Sequence, residues 1–398
     1  MKGLVNNISL TPASVDDVPD DLLERILLRL DSPIWLIRAA STCKRWRGTI
    51  AGDDDGSAFL RRARSLHPPT IVSHYHKHEF TPTSPPVPIA DSRFSLGNFV
   101  PLGDTSRWHH VTDVHAGLIL LHRRGCAPPD IIVCDPLTRQ SHRTSRRARA
   151  RQHCPHILND AFLLDGEDDS NISTSNFRVL CRFFGGHRAC VLSSTNGSED
   201  WRPLSVETWS VHRSIVSTGS LAGRVDGSLY MGSQNGLIVL DKATLEFSTV
   251  DLPSHAKTEH VHGYSKFLVV PCAGDDDSHS LPPGLRIVHL KGEELEVFRR
   301  VHGGGAGVWV LEHSIRRLST RLPRYPEKPC FARNVFTGGI GSVVVVVHDN
   351  GKMTWWCFSV CLNTMELTPA GHKLIYPRLN RAFAYSLPWP IFMRASLA

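Results

Sequence analysis

From about residue 93 to its end, the chain repeats one pattern, and that repetition restricts it to a few architectures. Gly117-Leu118-Ile119-Leu120-Leu121 is followed by Ile131 to Asp135, then Pro136-Leu137-Thr138. Gly227-Ser228-Leu229-Tyr230-Met231 is followed by Gly236 to Asp241, then Lys242-Ala243-Thr244, and by Leu245 to Val250. Gly341 with Val343 to Val347 is followed by Trp356 to Thr364 and then Met365 to Thr368. Weaker copies are Phe177 to Leu180 with Ala189 to Ser194, and Phe267 to Val270 with Leu285 to Leu290. Each copy reads as a strand opening at glycine, a second strand ending in an Asp-x-x-Thr-like turn, and a third strand. The copies recur every 45 to 60 residues or so, roughly the length of a four-stranded propeller blade. One such sheet cannot cover both of its faces, so neighbouring sheets must share their cores. The expectation is a mostly antiparallel β-propeller-like domain over residues 93–398 with about six blades. A two-sheet sandwich or jelly roll is the competing architecture.

The region before it follows a different period. In Val18 to Trp46, apolar residues fall at Leu22, Leu23, Ile26, Leu27 and Leu30, a helical face. Pro19 suits a first helical position, and Asp20 and Asp21 suit the positive end of the helix dipole. The helix is expected to stop at Leu30. Ser32 can cap a second helix beginning at Pro33 and carrying Leu36, Ile37, Ala39 and Ala40. A third runs from about Cys43 to Ile50 and stops near Gly52. Leu22, Leu23, Ile26, Leu27 and Leu28 are more apolar positions than so small a unit can bury alone, so part of this face should want a partner.

Pro19, Asp21, Leu22, Leu23, Ile26, Leu27, Cys43 and Trp46 stand in the register of an F-box, and the stretch resembles that family. Val18 and Thr42 replace the leucine and valine usual there. The run Phe59-Leu60-Arg61-Arg62 through Ser65-Leu66-His67-Pro68-Pro69 is similar to the exit of the F-box in grass-type plant members. Asp135-Pro136-Leu137-Thr138, Leu240 to Thr244 and Leu387-Pro388-Trp389-Pro390 resemble the propeller-like F-box-associated domain of the same group. The resemblance implies an α+β multidomain chain in which a small N-terminal three-helix F-box precedes the propeller. It implies a substrate-recognition subunit of a Skp–cullin–F-box ubiquitin ligase, not itself an enzyme. Its partners would be a Skp-type adaptor, through it a cullin, and a target protein held by the β domain. The adaptor-binding residues it implies are Val18, Pro19, Leu22, Leu23, Ile26, Leu27, Leu30, Leu36, Cys43 and Trp46. The rival readings are a propeller-type enzyme or carbohydrate-binding protein with an incidental helical cap, and an adaptor-binding scaffold outside any ligase.

Segment boundaries follow from composition. Residues 1–14 read as a disordered tail, 15–66 as the helical domain and 67–92, with Pro68, Pro69, Pro82, Pro85, Pro86 and Pro88, as a semi-rigid linker. Hydrophobic content of 41% and charged content of 21% are those of a globular protein. The N-terminus shows no signal-peptide pattern and no apolar run is long enough to span a bilayer, so membranes are not expected partners. The ten cysteines show no paired spacing, and reduced thiols in the cytoplasm and/or nucleus are the default expectation.

The net charge of +7 is concentrated at Arg139, Arg143, Arg146, Arg147, Arg149 and Arg151. That cluster lacks interleaved aromatics and a nucleic-acid fold motif, so it reads as an exposed loop or import signal, not a nucleic-acid site. No catalytic constellation is found: no metalloprotease His pair, no P-loop, no nucleophile elbow. Gly303 to Gly307 lacks the Lys-Ser/Thr a phosphate loop needs and reads as a hairpin between Val297 and Trp309. His74, His76 and His78 would share a strand face but sit in the proline-rich segment, where exposure is expected. Cys357 and Cys361 lie too far apart along a strand for one zinc ion and read as core thiols. No cofactor is expected.

Overall fold

The structure is a computed structural model. It describes residues 18–30, 33–51, 59, 62–63, 71–76, 79–82, 94–100, 109–123, 129–144, 157–166, 172–183, 189–204, 221–225, 227–232, 236–253, 267–272, 284–301, 307–322, 330–339, 341–349, 354–369 and 383–386. The expected tail at 1–14, Ser32 and Arg146 to Arg151 lie outside the described residues. The chain divides into two compact units, Met1–Thr70 with Pro388–Ala398, and Ile71–Leu387.

The first unit is helical. α1 (Asp20–Leu28), α2 (Pro33–Thr42) and α3 (Lys44–Ala51) follow one another, and Phe59, Arg62 and Ala63 are also helical. Pro19, expected at the first helical position, is instead the N-cap of α1, with φ −57° and ψ 150°. Asp20 and Asp21 then occupy the first turn, where carboxylates favour the helix dipole. α1 ends at Leu28, not at Leu30. Leu23, Leu27, Leu36, Ala39, Ala40, Ile50, Phe59 and Ala63 form the core, with Val18, Leu28, Leu30 and Trp46 packed at its margin. Phe59 and Ala63, four apart on one helical face, complete that core.

The second unit holds five four-stranded antiparallel sheets, each strand pairing with the next in sequence. They are β3 (His109–His115) to β6 (Gln140–Arg143), with β4 (Leu118–Arg123) and β5 (Ile131–Asp135) between. The second comprises β7 (Leu158–Leu164), β8 (Asn176–Phe183), β9 (Ala189–Thr195) and β10 (Ser198–Pro203). The third comprises β11 (Leu221–Val225), β12 (Ser228–Gly232), β13 (Gly236–Asp241) and β14 (Phe247–Asp251). The fourth comprises β15 (Phe267–Pro271), β16 (Leu285–Lys291), β17 (Glu294–Val301) and β18 (Val308–Ile315), followed by the short helix α4 (Leu318–Arg321). The fifth comprises β19 (Cys330–Gly339), β20 (Ser342–Asp349), β21 (Thr354–Cys361) and β22 (Leu367–Pro369). The propeller thus has five four-stranded blades among the described residues, which corrects the expectation of about six.

The remaining place in the ring belongs to a three-stranded sheet, ordered β2 (Glu79–Pro82), β1 (Ile71–His76), β23 (Phe383–Ser386). Here the two ends of the unit pair with each other, Tyr75 opposite Phe383 and His74 opposite Ala384. Tyr385 meets Tyr75 and Phe94 edge-on at 6.0 and 5.5 Å, and the Tyr75 hydroxyl donates to the Phe94 carbonyl at 3.0 Å. Segment 67–92 is therefore not a linker throughout: the β unit begins at Ile71, and His74 is buried in β1 rather than exposed.

Burial explains the composition of the strands. Each sheet lies between two others, so its central strands are covered on both faces and read as continuous apolar runs. Leu118 to Leu121, Ile131 to Cys134 and Val343 to Val347 are all buried. The recurring glycines also have a cause. Gly117, Gly227 and Gly341 sit at φ 82°, 72° and 70° in the turn between a blade's first and second strands, a region side chains with a Cβ avoid. The Asp-x-x-Thr turn joins third to fourth strand. Asp241 Oδ1 accepts from the amides of Ala243 and Thr244, both at 2.8 Å. Asp135 accepts from the Leu137 amide at 2.8 Å and the Thr138 hydroxyl at 2.9 Å. The next residue in each turn is left-handed: Arg139, Leu245 and Met365, at φ 58°, 59° and 54°. Cys361 takes the aspartate's place in the third copy, and hydrogen bonding with Thr364 lowers its thiol pKa. It is a turn residue rather than a core thiol. Cys357, in contrast, is pushed up to about 12 by burial.

Candidate functional site

α1 carries two rows of apolar side chains. Leu23 and Leu27, four apart, face the core and are each 1% exposed. Leu22 and Ile26, also four apart, lie on the adjacent side and are 44% and 51% exposed. Two stacked side chains on one helical face make a short ridge. Trp35 of α2 is 49% exposed, with the Arg38 guanidinium 4.6 Å from its ring centre. The helical unit thus shows three large exposed hydrophobic side chains among its described residues, while its core is already closed.

The other expected contact residues divide by position. Pro19 and Cys43 are exposed, Val18, Leu30 and Trp46 are half-buried, and Leu36 is fully buried. Leu23, Leu27 and Leu36 therefore hold the three helices together and do not present their side chains outward. The Cys43 sulfur accepts from the Trp46 amide at 3.5 Å, which starts the first turn of α3. Arg45 ties α3 to the entrance of α1. Its guanidinium donates to the Val18 carbonyl and, at 2.7 and 3.0 Å, to Asp20. Arg62 reaches Glu24 on α1. Trp35 and Arg45 escaped the sequence reading: a tryptophan beside Leu36 reads as core, and one arginine among many carries no positional signal.

In the β unit the titratable groups are tied to one another between blades. Asp113, fully buried on β3, accepts from the amides of Val114 at 2.9 Å and Leu163 at 2.7 Å and pairs with Arg224 of β11. Arg224 also donates to the Leu163 carbonyl at 3.1 Å, so one ion pair joins three blades. Nearby, Asp165 accepts from His115 Nε2 at 2.8 Å and from Lys242. The His115 bond, followed by that of Lys242, holds the Asp165 carboxyl far below its usual range, and burial lowers His115, which keeps it neutral. Arg286 donates to Glu312 at 2.7 Å and to Asn363 of the next blade at 3.1 Å. Arg143 of the expected arginine cluster is paired with Asp130, which is buried, at 2.7 and 2.9 Å. These are structural clasps.

Among the described residues Cys43, Cys134, Cys181, Cys272, Cys357 and Cys361 are free, whereas Cys190 is disulfide-bonded, which departs from the expectation of reduced thiols. Among the described residues no group of His, Cys, Asp or Glu is arranged to hold a metal ion, and no helix is long and apolar enough to cross a membrane.

A three-helix module with an outward apolar ridge, followed in the chain by a propeller, is the architecture of an F-box receptor-type protein. Family comparison agrees on both parts. The family model described as "F-box protein AT5G49610-like, beta-propeller" matches residues 110–321, more than half of the chain, and an F-box-like model matches residues 15–54. The chain belongs to this F-box protein family with a C-terminal β-propeller. The propeller match runs from β3 to α4 and so takes in the first four of the five four-stranded blades.

No curated protein matches the chain. Among solved structures it is similar to the WD40 domain of SCAP from fission yeast, at 8% identity and TM-score 0.32, covering 70% of this chain and 61% of that one. It is similar to a post-proline cleaving enzyme from Rickettsia typhi at 8% identity and TM-score 0.31, covering 90% and 58%. The extracellular domain of the putative one component system BT4673 from B. thetaiotaomicron matches at 10% identity and TM-score 0.30, covering 69% and 29%. The chain spans less than two thirds of the length of each of these, and likeness of this order extends to neither site nor activity.

Proposed function

We propose that this chain is the substrate-recognition subunit of a Skp–cullin–F-box ubiquitin ligase, working in the cytoplasm and/or nucleus. The observation that carries the reading is the exposed ridge of Leu22 and Ile26 beside an already closed core. A surface helix whose inner row is satisfied gains nothing within its own module from a second apolar row, whereas a partner surface gains about 1.5–3 kcal/mol per leucine buried. The adaptor-binding set is Val18, Pro19, Leu22, Ile26, Leu30, Cys43 and Trp46. Leu23, Leu27 and Leu36 support it from beneath. The partner is a Skp-type adaptor, which links the chain to a cullin, and the propeller holds the target.

On this reading the chain forms and breaks no bond. It raises the effective concentration of the target beside a ubiquitin donor brought by other subunits. The test is Leu22→Asp in the full chain with purified adaptor. The carboxylate abolishes adaptor capture while the far-ultraviolet circular dichroism and the thermal transition of the protein stay as in the parent. Undiminished capture overturns the reading.

A further inference from the structure

The outermost strands of the five blades are not alike. β6, β10, β14 and β22 are three to six residues long, and most of their side chains are polar or charged. That is how exposed sheet edges are ordinarily kept from pairing with other chains. β18 breaks the rule. It is eight residues long, stands last in its sheet, and exposes Val308, Val310 and Leu311 by 61%, 47% and 50%. Val301, opposite Val308 on β17, adds 45%. Val301, Val308 and Val310 share one face of the sheet, and among the described residues the main chain of β18 is paired along one side alone, with β17.

The charge around this edge has one sign left over. Glu312 is engaged by Arg286 and Arg299, and Glu294 by Arg316. Arg300, opposite Trp309, has a buried Nε without a hydrogen-bond partner, and its side chain lies against Gly307, where a Cβ would come within 2.6 Å of that nitrogen. Arg317, just past the end of β18, is exposed, and among the described residues neither arginine has an ion-pair partner. Unpaired cations therefore stand at both ends of an apolar edge strand. A second copy of this chain would bring arginine against arginine there, whereas an acidic strand would not.

We infer that β18 is a docking strand that takes an extended, acidic segment of a partner protein by strand addition. The partner's backbone pairs with the free edge, its apolar residues lie along Val301, Val308 and Val310, and its carboxylates face Arg300 and Arg317. The inference deepens the reading of the propeller as the target-holding part and rests on it. It names a place and a class of target segment.

The probe is a fluorescein-labelled octapeptide alternating valine and glutamate, titrated into the full chain and followed by anisotropy, with the valine–lysine octapeptide beside it. The valine–glutamate peptide binds at least tenfold more tightly. The pair Val308→Glu and Val310→Glu, both exposed positions, weakens it at least tenfold and narrows or reverses the preference. Arg300→Gln with Arg317→Gln leaves the apolar edge intact and brings the two peptides within about threefold of each other. Equal binding of both peptides to the parent, or binding unchanged in the glutamate pair, overturns the inference. So does a dimer of the parent in sedimentation that the glutamate pair dissolves while the peptide does not bind, since a second copy then occupies the edge. The assay contains no adaptor, so loss of the ligase reading through Leu22→Asp and loss of this one are read separately.

Discussion

α1 and β4 are both short and rich in leucine, yet they treat their side chains in opposite ways. In β4 every apolar residue from Leu118 to Leu121 is buried, because blades lie against both faces of the sheet. In α1 only Leu23 and Leu27 are buried, while Leu22 and Ile26 remain outside. The difference is one of geometry. A ring of sheets closes on itself and covers each face with a neighbour, but three short helices enclose a single small core and can use only one side of each. Apolar content beyond that core has to be exposed, and on the proposed function that exposed row is where the adaptor sits.

The contrast breaks most sharply at the ties that close the ring. Asp113→Ala removes the carboxylate, leaving the Leu163 amide without its acceptor and the Arg224 guanidinium without its counter-charge, held among the described residues by the Leu163 carbonyl alone. The expected loss is about 3–5 kcal/mol, read as a lower denaturation midpoint of the β unit. A loss under 1 kcal/mol would mean that the blades are held by their apolar cores alone.

Leu36→Ala probes the other region. It opens a cavity in a core of eight buried residues and costs about 2–4 kcal/mol, seen as faster amide exchange confined to α1, α2 and α3. Ile26→Ala, on the exposed row of the same module, changes stability by no more than about 0.5 kcal/mol. If the two cost the same, the division of α1 into an inner and an outer row is wrong.

The smallest effect is one of pH. His115 is lowered by burial, so the unfolded chain takes up its proton first and stability falls as pH drops below the ordinary histidine range. Asp165 is depressed by its bond from His115, then by Lys242. Its contribution is present above the ordinary carboxylate pKa and is lost as pH falls below it. Thermal melts should therefore show the β unit weakening from about pH 6.5 downward in one step and again below about pH 4. His115→Gln keeps an Asp165 donor and removes the upper step. A step that survives this change belongs to another histidine.

Much of this could be read from the residues, and what could not has an identifiable cause. The glycines at 117, 227 and 341 and the turns at Asp135 and Asp241 were legible because each demands a particular backbone conformation that few residues supply. Those signals mark the second, third and fourth strands of a blade. The first strands, β3, β7, β11 and β19, carry no such signal, and their pairing shows why. Each carries a register shift, between Val111 and Asp113, Leu158 and Asp160, Leu221 and Gly223, and Ala332 and Asn334. A bulge inserts an extra residue and destroys the alternation by which a strand is recognised. β1 shares the defect between Ile71 and Ser73 and lies among prolines, so its stretch has the composition of a linker.

Local chemistry alone therefore determined the helices, the hairpin turns, the blade pattern and the family. It could not decide which of two leucine rows on α1 turns inward, how the ends of the β unit meet at Tyr75 and Tyr385, or that Asp113 waits for an arginine 111 residues further along the chain. Those depend on surfaces brought together from distant parts of the sequence. Periodicity says that a side chain lies on a face, but only the packed neighbours say whether that face is covered.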